Sequence, residues 1–168
     1  FMGVKFKSPL ELSGHRAILH TDAAQTIVVK VISKTAAHPE HGNGSTSGYT
    51  IDGVEGAYLE LTPGNTYKFD QSDSSNSGHP LRFYLEADKT TAYTTGVTTN
   101  GTAGSSGAYT QIAVDSETPN ILYYQCSSHG YMGNHVVNIS NYINGDLTVG
   151  SKLKLPTNTA NKILVADG

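Results

Sequence analysis

The sequence predicts an all-β protein, a Greek-key β-sandwich with short β extensions at its two ends. Its composition is one reason. Gly, Ser, Thr and Asn are abundant, Trp is absent, and 10 Tyr stand against 4 Phe, which is typical of turn-rich sheets with polar faces. The second reason is the pattern, because about seven to eight short apolar or β-branched runs alternate with turn signals, and no long helical periodicity is visible.

The predicted strands follow one another along the chain. The run from Thr26 to Ile32 predicts the first long strand. Shorter strands are predicted at 49–51, 58–61, 67–69, 79–85, 109–114, 121–126 and 135–139. Pro63, Gly64 and Asn65 have the types and order of a type II turn, which predicts a hairpin between strands 58–61 and 67–69. The Ser- and Gly-rich stretches 72–77 and 98–107 are expected to be loops.

The chain divides into three predicted regions. Residues 1–24 are expected to form an N-terminal β extension, and residues 25–140 form the sandwich. Residues 141–168 are expected to be a β tail or linker, because Asn144-Gly145 is a hairpin signal followed by alternating apolar residues. The sandwich does not depend on this tail.

Composition also excludes several classes of function. A net charge of −3 with only 15% charged residues argues against nucleic acid or a membrane surface as a partner. The single Cys excludes an internal disulfide and any site with two thiolates, including dinuclear copper centres and the usual structural zinc sites. We expect no enzymatic activity, because no paired carboxylates, phosphate loop or nucleotide fingerprint appears.

Three metal-binding side chains lie at the end of one predicted strand and in the loop directly after it. Cys126, His129 and Met132 place a thiolate, an imidazole and a thioether within seven residues. Mononuclear copper sites of electron-transfer proteins combine one Cys and two His with a long, weak axial Met. A Cys with a nearby His also suggests nucleophilic catalysis, but on so tight a loop this His cannot easily orient against its own Cys. A copper site needs one further His from elsewhere in the chain.

His79 is the best candidate for that second His. Every second residue after His79 is apolar, namely Leu81, Phe83 and Leu85, and His79 occupies the preceding position of the same alternation. Side chains two apart share one face of a strand, so His79 is expected to point toward the core. Cys126 passes the same test, because it shares a face with Leu122 and Tyr124. One copper ion held by residues from distant parts of the chain is therefore predicted: His79, Cys126, His129, Met132.

The order and spacing of these residues resemble the cupredoxin family, the small blue-copper β-sandwich proteins, over about residues 26–139. Three segments carry the resemblance: Pro63-Gly64 before Tyr67-Lys68-Phe69, then Gly78-His79-Pro80, then Tyr123-Tyr124-Gln125-Cys126. Two residues separate Cys126 from His129, and two separate His129 from Met132, which is similar to the short loop of amicyanin-type cupredoxins. The resemblance implies a type 1 copper site cycling between Cu(I) and Cu(II).

The resemblance also implies a role for each residue. His79 is the first His ligand, Cys126 the thiolate, His129 the second His and the expected electron port, and Met132 the axial ligand. One position departs from the family pattern. Cupredoxins commonly carry Asn after the first His, and its side chain ties that loop to the Cys loop. Here Pro80 takes the place and has no N–H to offer.

The ends of the chain carry a different resemblance. Residues 144–150 and 161–168 look like the spacer segments of tailed-phage fibres and other virion proteins, especially marine ones, and residues 6–14 are similar in style. This implies a copper module within a larger virion structural protein, located on the virion or outside the cell, with a possible homotrimer through the terminal segments. The alternative location is the periplasm. The alternative function is a virion structural or adhesion module whose metal site is stabilising or vestigial. The sequence names no redox partner.

Other histidines offer weaker alternatives. His135 lies close to the proposed ligands but beyond Met132, in the returning strand. His38 and His41 could form a surface zinc or copper pair, although most loop histidines of this kind are simply solvated. His15 and His20 have no partner pattern.

Overall fold

The structure is a computed structural model that describes residues 18–19 and 25–138. These residues form twelve strands, one short 3-10 turn (Ser74–Asn76) and no α-helix. The strands are β1 (Ile18–Leu19), β2 (Gln25–Ser33), β3 (Ser47–Ile51), β4 (Val54–Glu55), β5 (Leu59–Leu61), β6 (Thr66–Asp70), β7 (Leu81–Tyr84), β8 (Ala92–Tyr93), β9 (Val97–Asn100), β10 (Tyr109–Ala113), β11 (Ile121–Cys126) and β12 (His135–Asn138).

The strands form two six-stranded mixed sheets. One has the order β1-β5-β12-β11-β7-β8 and the other β4-β3-β2-β6-β10-β9. Three pairs are parallel, β1 with β5, β5 with β12 and β2 with β6, and the other pairs are antiparallel. The predicted all-β sandwich is confirmed. Apart from β1, the predicted terminal extensions lie outside the described residues.

Strand alternation explains which side chains form the core. In β2, Ile27 and Val29 are fully buried, whereas Val28 between them is 43% exposed. In β11, Leu122, Tyr124 and Cys126 are all buried, as the parity of that strand predicts. Burying each large apolar side chain contributes roughly 1.5–3 kcal/mol, so these alternating positions fix the register of each strand.

The predicted hairpin at Pro63 to Asn65 is wrong, although the turn itself is present. Gly64 has a φ of +91°, and its N–H donates to the Val114 carbonyl. The strands on either side of the turn lie in different sheets, because β5 pairs with β12 while β6 pairs with β10 and β2. The turn therefore carries the chain from one sheet to the other.

Two further expectations fail near the edges of the sheets. Residues 97–100 form β9, which pairs with β10, although the stretch 98–107 was expected to be a loop. Its Thr and Asn side chains are exposed, so an edge strand here shows no apolar alternation. Leu85 is 40% exposed, because β7 ends at Tyr84.

Candidate metal centre

Two neighbouring strands bring the predicted ligands together at one end of the sandwich. Cys126 is the last residue of β11, and its strand partner in β7 is Leu81. His79 lies two residues before Leu81, so it reaches the same end as Cys126. His129 then lies on the loop that leaves β11. Antiparallel pairing of β7 with β11 thus joins residues that are 47 positions apart in sequence.

The donor atoms of these three side chains form a compact cluster. The Cys126 Sγ lies 3.5 Å from the His129 Nδ1 and 3.8 Å from the His79 Nδ1. All three donor atoms lie within 4.8 Å of one another. In the part of the chain that the structure describes, this is the one group of three or more His, Cys, Asp or Glu residues with metal-binding geometry.

These separations fit a metal ion placed between the side chains. A metal bonded to a thiolate at about 2.3 Å and to an imidazole at about 2.0 Å holds sulfur and nitrogen roughly 3.5–3.7 Å apart, for angles between tetrahedral and trigonal. The two observed distances lie in or just beside this range. One soft sulfur and two imidazole nitrogens are also the donor set that suits copper.

The three side chains differ in their access to solvent. Cys126 is fully buried, His79 is half-buried and His129 is exposed. The rings of His79 and His129 lie 4.6 Å apart between centroids, with a tilt of 44°. Burial, and then the charge of His129, lowers the pKa of His79. A lowered pKa favours the neutral imidazole, which is the form that binds metal.

Backbone hydrogen bonds fix the loop that carries Cys126 and His129. The Ser127 N–H donates to the Pro80 carbonyl at 2.9 Å, which ties this loop to the His79 segment. The Ser128 N–H points at the Cys126 Sγ from 3.4 Å. A donor in this position stabilises a thiolate and lowers the cost of presenting it to a metal.

Met132 lies at the end of the same loop and is fully buried in the core. Its carbonyl accepts the Tyr49 N–H at 2.7 Å and the His38 Nε2–H at 3.2 Å. The backbone of this residue is therefore held by two separate segments. Its role as the axial ligand stays a prediction.

The other histidines that the structure describes do not join the cluster. His38 is 2% exposed, so it is not a solvated loop residue. Its Nδ1 accepts the Glu40 N–H and its Nε2 donates to the Met132 carbonyl, so both ring nitrogens are occupied and neither is free for a metal. His41 is exposed. His135 stacks on Tyr58 with ring centroids 5.4 Å apart.

Sequence reasoning missed the residues that support the site. Tyr49 and Gln71 both donate to the His79 carbonyl, and His38 holds Met132. The contacts of Tyr49 and His38 join segments 30 and 94 positions apart, whereas Gln71 and His79 are 8 positions apart across a loop. No local spacing or periodicity identifies such residues, because the partner is in each case a backbone carbonyl.

No protein-family model matches the chain, and no curated protein matches it. Solved structures of rusticyanin are similar at low identity. A structure titled as the copper protein rusticyanin has 11% identity and a TM-score of 0.45, covering 78% of this chain and 86% of that chain. Reduced rusticyanin has 12% identity, a TM-score of 0.45 and coverage of 78% and 88%. Rusticyanin from Thiobacillus ferrooxidans has 11% identity, a TM-score of 0.43 and coverage of 78% and 86%. Because the identities and TM-scores are low, the function of this chain has to be argued from its own strands and side chains.

Proposed function

We propose that this chain binds one copper ion in a type 1 site and transfers single electrons, as cupredoxins do. The residues that would hold the ion are His79, Cys126, His129 and Met132, which offer two imidazoles, a thiolate and a thioether. The observation that carries the proposal is the cluster of one buried sulfur and two imidazole nitrogens at separations of 3.5 and 3.8 Å. Because the ligands come from the end of β11, the loop that follows it and the segment just before β7, the folded sandwich itself assembles the site.

Each residue contributes a distinct property to electron transfer. Copper, when bound, supplies the one-electron couple between Cu(I) and Cu(II). The Cys126 sulfur is a soft ligand that would bind copper strongly, and its complete burial shields it from water. Cys126 is held by the end of β11 and His79 by hydrogen bonds of its peptide group, so the ligands move little when the charge on the site changes. Exposed His129 is the edge of the site that a redox partner reaches.

A titration of the metal-free protein with Cu(II) tests this proposal. We expect one equivalent to produce intense visible absorption from charge transfer between the Cys126 sulfur and copper. Cys126→Ser should abolish the band, whereas His41→Ala, an exposed histidine outside the cluster, should leave it unchanged. Absence of the band in the natural protein, or its survival in Cys126→Ser, contradicts the proposal.

The wider setting of the module is a separate proposal. The proposal of a virion structural protein, with trimers formed through the terminal segments, rests on residues 1–24 and 141–168. All of these except Ile18 and Leu19 lie outside the described part of the chain. If the metal site is only stabilising or vestigial, copper should raise the melting temperature without a reversible voltammetric wave. Sedimentation of the full chain tests trimer formation.

Location also stays a prediction. The virion or extracellular space is favoured by the resemblance of the terminal segments, and the periplasm is the alternative. Across residues 18–19 and 25–138, no helix is long and apolar enough to cross a membrane.

A further inference from the structure

The peptide group of His79 is held on both sides by buried polar groups. Its N–H donates to the Asn76 carbonyl at 2.8 Å. Its carbonyl accepts two hydrogen bonds, one from the Tyr49 hydroxyl at 2.8 Å and one from the Gln71 Nε2 at 3.0 Å. Tyr49, Gln71 and Asn76 are at most 2% exposed, so water does not compete for these bonds.

Gln71 spans Pro80 with its side-chain amide. The Nε2 of Gln71 donates to the carbonyl of His79, and its Oε1 accepts the N–H of Leu81 at 3.0 Å. A side-chain amide has one donor end and one acceptor end, as a peptide group has, so it can pair with the backbone on both sides of a residue that lacks an N–H. Gln71 thereby satisfies the backbone groups on both sides of Pro80, namely the His79 carbonyl and the Leu81 N–H.

Tyr49 connects the two ligand segments. Its backbone N–H donates to the Met132 carbonyl, and its hydroxyl donates to the His79 carbonyl. Its ring is fully buried and lies 6.2 Å from the ring of Tyr124. Burial, followed by the nearby charge of Cys126, raises the pKa of Tyr49 well above its usual range, so the hydroxyl keeps its proton.

We propose that Gln71 and Tyr49 are positioning residues that fix His79 for metal binding through its carbonyl. Tyr49 also links the His79 segment to the end of the Cys126 loop, a connection that the Pro80 side chain cannot make. Neither residue belongs to the cluster of donor atoms, although the Tyr49 hydroxyl also lies within hydrogen-bonding reach of Cys126. Because they hold the backbone from which the imidazole projects, they limit how far His79 can move when copper binds or changes its oxidation state. This inference rests on the proposed copper site.

Gln71→Met and Tyr49→Phe test the proposal in the full-length protein. Both replacements keep the side-chain volume close to the original and remove a donor to the His79 carbonyl. Loss of an outer hydrogen-bonding partner typically weakens metal binding by about 10- to 100-fold, and we expect a loss of this order for each variant. The reduction potential and the charge-transfer band should shift as well.

Two control variants separate positioning from general core damage. Tyr67→Phe also removes a buried hydroxyl, and this hydroxyl accepts hydrogen bonds from the Thr62 N–H and the Asn65 side chain in the turn between β5 and β6. Gln111→Met makes the Gln71 replacement at a half-buried position on β10. Both controls should keep the copper affinity, potential and spectrum of the natural protein, even where they lower the melting temperature.

A second readout does not depend on copper. In the metal-free protein, Gln71→Met leaves the Leu81 N–H without its acceptor, so its hydrogen exchange should accelerate about tenfold or more. Exchange at Leu81 should be unchanged in Gln111→Met.

The possible outcomes distinguish this proposal from the copper site itself. A natural protein without a charge-transfer band overturns the copper site, whereas Leu81 exchange still tests the role of Gln71. Natural affinity, spectrum and potential in both Gln71→Met and Tyr49→Phe overturn the positioning role. Equal losses in the controls overturn it too. If one of the two variants fails to fold, the other decides.

Discussion

Cys126 and His129 lie three residues apart, yet one is fully buried and the other exposed. This contrast gives the site a protected sulfur and an imidazole edge in contact with solvent. Strand parity was sufficient to predict the burial of Cys126, because Leu122 and Tyr124 share its face. It was not sufficient to predict Tyr49 or Gln71, whose hydrogen bonds to a backbone carbonyl leave no pattern in the sequence.

Gly133 is a residue that the ligand loop requires. A Cβ at this position would overlap the Tyr124 carbonyl oxygen, whereas a Cβ on Gly130 in the same loop meets nothing within 4 Å. We expect Gly133→Ala to lower the free energy of unfolding by about 1–3 kcal/mol, because the loop must move away from β11. Urea denaturation of the metal-free protein measures this.

Gly130→Ala is the matched control for that change. It should alter the free energy of unfolding by less than about 0.5 kcal/mol, because a Cβ at this half-buried position meets nothing within 4 Å. Equal effects of the two substitutions would show that close packing against Tyr124 does not constrain the loop.

Whether a strand could be predicted from the sequence depends on its place in the sheet. Central strands such as β2 and β11 have clear apolar alternation, and their positions were predicted. The edge strand β9 has polar side chains on both faces, so its pattern is that of a loop. The turn at Gly64 was recognised from its residues, but turn chemistry does not determine whether the next strand joins the same sheet or the opposite one.

The segment between β2 and β3 packs on the ligand loop. The Ser45 N–H donates to the Gly130 carbonyl at 3.1 Å, and His38 donates to the Met132 carbonyl. We expect His38→Phe, which keeps a ring but removes its hydrogen bonds, to cost about 1–3 kcal/mol of unfolding free energy. The Glu40 N–H also loses its acceptor.

Chemical denaturation measures the contribution of the His38 hydrogen bonds when His38→Phe is compared with His41→Phe. The exposed His41 should tolerate the same replacement with little change. If His38→Phe is as stable as the natural protein, the segment between β2 and β3 does not support the ligand loop through this histidine.

For the whole molecule, burial of histidines predicts how stability depends on pH. Burial lowers the pKa of His38, His79 and His135 in the folded protein. The unfolded chain therefore takes up protons first as the pH falls below about 6.5. This part of the stability is present above that pH and is lost as the pH falls through the lowered values in the folded state.

Urea midpoints of the metal-free protein at pH 7.5 and pH 5 test this dependence. We expect a lower midpoint at pH 5 and a smaller difference between the two values in His135→Phe, which keeps a ring to stack on Tyr58. The pKa of Asp73 is lowered to about 2, first by its hydrogen bonds to Ser75, so its titration lies below this window. Equal midpoints at the two pH values would contradict the prediction.

Anomalous scattering at the copper edge, from crystals of the copper-loaded protein, tests the central claim most directly. We expect one strong peak per chain within about 2.5 Å of the Cys126 Sγ and of the Nδ1 atoms of His79 and His129. A peak at any other position, or no peak at these three side chains, would contradict it.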